Sequence, residues 1–226
     1  MTIPSIKALL FMKHHSERVP GKNIRPLNDK PLLFWILQTL QKSKYINGII
    51  VNTDSEEIAS EVKKYGKVEI HMRPEYLLNI TSNEAAQIIE YDLSITEGDY
   101  FLQTHATNPL LTTETIDNSI KIFFSQLIHD SLFSVTPLKK RLYWEDGKPI
   151  NHDPSRLIKT QLLPVVYEEN SCIYIFSKTS FSKTKNRLGA NPMMFSMNPM
   201  ESVDIDEEED FILAEFLLKE KLGKQK

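Results

Sequence analysis

The sequence predicts an α/β fold with a mostly parallel sheet, and three observations carry that reading. Apolar runs of strand length alternate with helical patterns four times over roughly the first 125 residues. The first strand candidate, Ile6-Lys7-Ala8-Leu9-Leu10-Phe11-Met12, is apolar but for Lys7, the near-continuous pattern of a strand covered on both faces. Polar residues gather where those strands end: Arg18 and Lys22 after the first, Asp54 after the second, Arg73 after the third, and Gln103 closing the fourth. Right-handed crossovers would bring these exits to one rim, where open α/β sheets bind ligands.

Taken in order, the first strand runs into a basic loop, residues 13–25, holding Lys13, Arg18, Lys22 and Arg25 with His14, His15 and Glu17. A cationic loop at a strand exit suits an anionic ligand, most simply phosphate. Pro20 and Gly21 shape its backbone, and the glycine spacing fits neither a dinucleotide fingerprint nor a P-loop. A turn at Asn28-Asp29-Lys30 precedes a helix over 31–43, with Leu33, Phe34, Leu37 and Leu40 on its apolar face. Residues 48–52 read as a short buried strand ending at Thr53-Asp54. Ser55 caps the next helix, with Ile58, Ala59 and Val62 inward, and Gly66 ends it.

A third strand covers 68–71 and leads to Arg73-Pro74-Glu75. Ser82 or Asn83 opens a helix containing Ala85, Ala86, Ile88 and Ile89. The strand at 99–103 exits through Thr104 to Leu110, and Thr112 or Thr113 opens the helix of Ile116, Ile120 and Phe123. Beyond a strand at 132–136 the texture changes. Residues 137–167 are charged, with Lys139, Lys140, Arg141, Lys148, Arg156 and Lys159, and carry a hairpin-like turn at Glu145-Asp146-Gly147-Lys148. This segment reads as an excursion that covers a substrate site or meets another subunit. Residues 171–176 return to an apolar strand. Asp204 and Asp206 then lie two apart, and in an extended segment they face the same way. Two carboxylates at the rim of a phosphate site suit a divalent cation, magnesium when phosphate oxygens complete its shell. Glu207 to Asp210 open the final helix, where negative charge suits the dipole.

Composition narrows the class. With 226 residues, 41% hydrophobic and 25% charged, the chain has the make-up of a soluble globular protein and the length of one large domain, 1–226. A net charge of -3 gives no reason to expect a nucleic-acid partner. The single cysteine, Cys172, excludes an internal disulfide and a cysteine-rich metal site, and its apolar neighbours place it in a buried strand. No apolar run approaches membrane-span length, and the first residues lack the pattern of a signal peptide, so a cytoplasmic protein is expected.

Six blocks together resemble the CMP-sialic acid synthetase (acylneuraminate cytidylyltransferase) family. They are Ser16-Glu17-Arg18-Val19-Pro20-Gly21-Lys22-Asn23-Ile24-Arg25 with Lys30-Pro31-Leu32; Asn52-Thr53-Asp54-Ser55; Arg73-Pro74-Glu75 with Ser82; Leu102-Gln103 leading to Thr107-Asn108-Pro109-Leu110; Leu163-Pro164-Val165-Val166-Tyr167-Glu168-Glu169-Asn170; and Val203-Asp204-Ile205-Asp206. The resemblance implies a Rossmann-like nucleotidyltransferase fold, usually homodimeric. It also implies magnesium-dependent transfer of CMP from CTP to the anomeric hydroxyl of a nine-carbon 2-keto-3-deoxy sugar acid, with pyrophosphate leaving.

On that match Arg18 and Lys22 contact the CTP phosphates, Asn23 the ribose, and Arg73 and Ser82 the base. Gln103 and Tyr167 face the acceptor, Asp204 and Asp206 hold Mg2+, and the excursion is a dimerisation segment. Three departures stand out. Met12-Lys13-His14-His15 replaces a small, glycine-rich loop start. Lys159-Thr160 precede Gln161-Leu162-Leu163-Pro164 where arginine is usual; if that arginine meets the acceptor carboxylate, its role passes to Arg156, the first choice, or to Lys159, or the acceptor differs. Asn170-Ser171-Cys172 stands for Asn-Gly-Ala. The alternatives are a cytidylyltransferase for another acid, such as an octulosonate or phosphonate, a non-catalytic nucleotide-binding protein, and a glycosyltransferase, which would release no pyrophosphate from CTP.

Overall fold

The computed structural model describes residues 3–80 and 85–223. Its elements in chain order are β1 (Ile6–Met12), β2 (Pro26–Leu27), β3 (Lys30–Pro31), α1 (Leu32–Gln41), β4 (Ile46–Thr53), α2 (Glu56–Lys63), β5 (Glu69–Met72), α3 (Ala86–Ile95), β6 (Tyr100–Thr104), α4 (Thr113–Phe124), β7 (Ser131–Leu138), β8 (Val166–Ser177), α5 (Lys178–Thr184), β9 (Pro192–Ser196) and α6 (Glu208–Gly223). Seven strands form one sheet in the order β5-β4-β1-β6-β8-β7-β9, and β2 and β3 form a separate ribbon. Only β8 runs against its neighbours in the sheet, so the sheet is mostly parallel, as expected. The chain moves outward from β1 through β4 to β5 and then returns to β6 on β1's other side. The carboxyl ends of β1 and β6 therefore flank a topological switch point.

Both faces of the sheet are covered. Ala8, Leu10 and Met12 of β1 join Leu33, Ile36, Leu37, Ile58, Ile116 and Ile120 in one core. Leu9, between them, packs on the opposite face with Ile89, Leu93, Phe101, Tyr174 and Phe181. The period of two along a strand that is apolar but for Lys7 thus feeds two helical layers. A third core holds Val19 of the basic loop with Leu27, Leu32, Leu110, Ile205, Phe211, Ala214 and Leu218. It ties the loop after β1 to the chain entering α6.

Several elements match the sequence reading closely. Thr112 and Ser55 cap α4 and α2 through their side-chain oxygens, and Cys172 is fully buried in β8. Asn28 and Asp29 sit at φ 51 and 67, the left-handed pair of a tight hairpin turn. The expected start of α3 at Ser82 or Asn83 lies outside the described residues. The differences fall late in the chain. β8 begins at Val166, five residues before the apolar run that marks it, and α5 and β9 are additional to the expected elements. β9 is an edge strand opened by Pro192, a position that tolerates a missing donor. Ser171, where the family resemblance expects glycine, sits at φ 57, a conformation glycine adopts without strain.

Between β7 and β8 the excursion projects as an arm. Gly147 closes its turn through an N–H to the Trp144 carbonyl (2.9 Å). Trp144, Leu157 and Leu162 on the arm are 63%, 95% and 71% exposed, which is far more apolar surface than a solvated hairpin needs.

The small third core makes a quantitative expectation. Val19 is fully buried there, so Val19→Ala should cost about 2 kcal/mol of stability, from lost transfer energy and a residual cavity. The urea midpoint of the purified variant measures it.

Candidate active site

The basic loop leaves β1 at Lys13 and folds back on itself. Gly21, at φ 63, lets the turn close, and the Ile24 and Arg25 N–H groups donate to its carbonyl (both 3.1 Å). The carbonyls of Arg25 and Asn23 then accept from Leu32 and Leu33 (both 3.0 Å), so loop backbone occupies donors at the start of α1. Side chains carry the loop's charge outward instead. Asn23, 7% exposed, donates through Nδ2 to the Lys13 carbonyl (2.9 Å). The His14 N–H donates to Asp54 Oδ1 (2.7 Å), and its ring meets Ser55 Oγ at 3.1 Å. Asp54 and the histidine therefore shape the loop.

The loop cations meet the acidic segment 204–208. Lys22 Nζ donates to the Ile205 carbonyl (2.8 Å) and lies 3.6 Å from Asp206 Oδ1. Arg18 pairs with Asp206 (2.8 Å) and Glu207 (3.0 Å), and Arg25 with Glu208 (2.6 Å). Ile205 is fully buried, and its N–H donates to the Thr107 carbonyl beyond β6 (3.0 Å). The extended alternation turns Ile205 inward while Asp204 and Asp206 remain at the rim. Burial raises the Asp204 carboxyl above the usual range, a shift opposed by its hydrogen bond with Thr107 and reinforced by Asp206. Its Oδ1 has no partner among the described residues.

Arg73 is placed from below. Its N–H donates to the Thr53 carbonyl (2.8 Å) and its Nε to Asn52 Oδ1 (2.9 Å). Asn52 Nδ2 donates to Asp92 Oδ1 (2.9 Å), which also meets His71 Nδ1 at 2.7 Å. Asn52 and Asp92 are fully buried, and Arg73 is only 6% exposed. Burial pulls the Arg73 guanidinium below its ordinary range, with Asp54 and Asp92 opposing. Its Nη1 is buried with no partner among the described residues. Ser82, expected beside it, lies outside those residues.

Across the switch point, Gln103 is 1% exposed, and its Oε1 is likewise unpartnered among the described residues. It pairs in register with Tyr174 of β8. The Tyr174 hydroxyl donates to Glu169 and accepts from Ser171 Oγ (3.0 Å), and burial is the main cause that pushes it up to about 12. The Arg187 guanidinium carbon sits 3.5 Å from the centre of the Tyr174 ring. His105, two residues past Gln103, is pulled down to about 4 by burial and by the charges of Arg187 and Lys22, against Asp206. It is a neutral imidazole at neutral pH, able to donate or accept a hydrogen bond.

Arg18, Lys22, Asn23, Arg73, Gln103, Asp204 and Asp206 thus belong to the rim read from the sequence. Tyr167 is 44% exposed and pairs with Pro137 along β8, seven residues from Tyr174. Arg156 and Lys159 are exposed on the arm, Arg156 lining a cavity of about 500 Å³ with Ile150, His152 and Val166. Sequence reasoning missed Tyr174, Arg187 and His105. Tyr174 was legible only as an apolar strand residue, and Arg187 sits between elements that had not been recognised.

Among the described residues no three His, Cys, Asp or Glu groups come together as a metal site. Asp204 and Asp206 still fit magnesium in one respect, because the orphaned Asp204 oxygen is a buried acceptor awaiting a donor or cation. Two carboxylates leave most of such a cation's shell to phosphate and water. No helix among the described residues is long and apolar enough to cross a membrane.

A family model described as cytidylyltransferase matches residues 8–222. Post-translational flagellin modification protein B of Campylobacter coli is 31% identical over 91% of this chain and 92% of its own length. N-acylneuraminate cytidylyltransferase A of Danio rerio is 28% identical over 93% of this chain, which spans 50% of that protein. The solved structure of a CMP:2-keto-3-deoxy-manno-octonic acid synthetase complexed with CTP superposes with a TM-score of 0.68 over 96% of this chain and all of that one, at 10% identity.

Two expectations follow from the site. Asp92→Ala strips His71 and Asn52 of a buried partner and should cost about 3 kcal/mol or more, read as a fall in the urea midpoint. His105 binds a proton near pH 6.5 when unfolded and near 4 when folded. Its contribution is complete above pH 6.5 and is lost as pH falls toward 4. The wild type should therefore lose about 2 kcal/mol more than His105→Asn between pH 6.5 and 4.5, measured by urea titration at each pH.

Proposed function

The chain belongs to the cytidylyltransferase family, and on that premise we propose that it transfers CMP from CTP to a nonulosonic, sialic-acid-like sugar acid, releasing pyrophosphate. The observation that carries this reading is the meeting of Lys22 and Arg18 with Asp206, beside Asp204, at the sheet's switch point. Phosphoryl transfer asks for that pairing of cations with carboxylates, because its transition state redistributes charge over phosphate oxygens.

The roles follow from the chemistry of each group. Lys22 and Arg18 exchange Asp206 for triphosphate oxygens and stabilise the charge that builds on departing pyrophosphate. Asn23 retains its amide oxygen for a ribose hydroxyl. Arg73 holds a donor for the carbonyl of cytosine, and Ser82 is the second residue proposed for the base. Gln103 orients an acceptor hydroxyl. Asp204 and Asp206 are the groups that would hold Mg2+, which when bound would screen the phosphates and make the attacking hydroxyl more acidic. The anomeric oxygen bonds to the α-phosphorus as its proton passes to solvent, and the bond from the α-phosphorus to the oxygen bridging the β-phosphate breaks, which frees pyrophosphate.

The exposed apolar arm is proposed as the contact that forms a homodimer, with Tyr167, Arg156 and Lys159 reaching the acceptor's hydroxyls across it. An octulosonate is the second reading for the acceptor, favoured by the fold shared with the octonic acid synthetase.

The test is pyrophosphate release from CTP and magnesium with a panel of nonulosonic and octulosonic acids. A nonulosonic acid is expected to be used best, and absence of release with every acid would contradict the proposal. Lys22→Ala and Asp204→Asn should each lower kcat by about 100-fold or more while circular dichroism and the urea midpoint stay near wild type.

A further inference from the structure

Arg187 belongs to no block of the family resemblance, and the roles assigned above do not use it. It lies in the link between α5 and β9, and its guanidinium carbon is 3.5 Å from the centre of the Tyr174 ring. Contact at that separation means the group lies flat on the ring, which leaves its N–H donors around its edge. The residue is half-buried, and burial lowers its proton affinity while Tyr174 and Glu169 oppose the shift. Among the described residues no carboxylate lies within 4.0 Å of it, whereas Arg18 and Arg25 are both salt-bridged. Glu169, the nearest acid by its influence, is exposed and is engaged by the Tyr174 hydroxyl.

Two neighbours show what the cation faces. Tyr174 pairs in register with Gln103, whose buried Oε1 also lacks a partner among the described residues. The charges of Arg187, Lys22 and Asp206 all reach His105, two residues past Gln103. Arg187 therefore lies one strand over from Gln103, stacked on its register neighbour. A guanidinium partly withdrawn from water is stabilised by an anion that meets it, and a flat guanidinium suits a carboxylate through two parallel hydrogen bonds.

We infer that Arg187, held by Tyr174, is the residue that binds the acceptor's carboxylate, from within the same chain that binds CTP. The inference rests on the acceptor class proposed above. It places the carboxylate on the β8 side of Gln103 and the reacting hydroxyl toward Asp204. The arm arginine, Arg156, is then left to other parts of the sugar.

The experiment compares wild type, Arg187→Ala, Arg187→Lys and Arg156→Ala. Each is assayed with the acid that wild type uses best and with its C1 carboxamide, a neutral analogue of the same shape. Wild type should prefer the acid strongly in kcat/KM. Arg187→Ala should lose about 10- to 100-fold on the acid and little on the carboxamide, so that the preference collapses, with the KM for CTP within twofold of wild type. Arg187→Lys should restore part of the preference, since it keeps the charge and loses the fork. An Arg187→Ala enzyme that keeps the full preference would overturn the inference and leave the proposed reaction standing, as would collapse of the preference in Arg156→Ala instead. Failure of wild type to use any acid would overturn both.

Discussion

The site depends on one contact, the packing of the loop after β1 against the segment that enters α6. Val19 and Ile205 are both fully buried in the third core. They lie within a few residues of Arg18 and Lys22 on one side and of Asp204 and Asp206 on the other. The ion pairs across this seam are conspicuous but weak as a fastening. Arg18, Asp206 and Glu207 are each about half exposed, and exposed pairs contribute about 0–1 kcal/mol. Burying two aliphatic side chains contributes more, about 1.5–3 kcal/mol each. The apolar contact therefore holds the seam closed, and the charges above it remain free to change partners when a phosphate arrives.

The same division of labour recurs beside β4. Arg73 would be poorly placed as a long side chain on a loop. Here Asn52, Asp92 and His71 fix it through buried hydrogen bonds. Burying Asp92 is expensive, and its bonds to His71 and Asn52 offset that cost. The return is a guanidinium held rigidly with one donor still unspent. On the far side of the switch point Tyr174 does for Arg187 what Asn52 does for Arg73, with an aromatic face in place of an amide.

The first 125 residues were largely legible because each strand and helix there writes its own pattern. Continuous apolar runs gave the buried strands, caps such as Ser55 and Thr112 gave the helix starts, and the polar residues after each strand gave the rim. The later chain was less legible for physical reasons. The first half of β8, Val166 to Asn170, lies against β7 where the arm begins and is partly exposed, so its alternation includes Glu168 and Glu169. β9 is an edge strand that starts at a proline. Arg187 follows a short helix with no strong periodicity, and its meaning comes from Tyr174, thirteen residues earlier, which only the fold brings beneath it. The rim residues Arg18, Lys22, Asp204 and Asp206 could be found from charge and spacing, but their mutual contact spans more than 180 positions and needed the structure.

On the proposed reading, Asp206 holds the loop cations only until a triphosphate replaces it. A crystal structure of the protein with CTP and magnesium tests this directly. Arg18 and Lys22 are expected to have turned from Asp206 onto phosphate oxygens, with the nucleotide seated over the switch point between β1 and β6. Arg18 and Lys22 still paired with Asp206 while CTP occupies another place would contradict it.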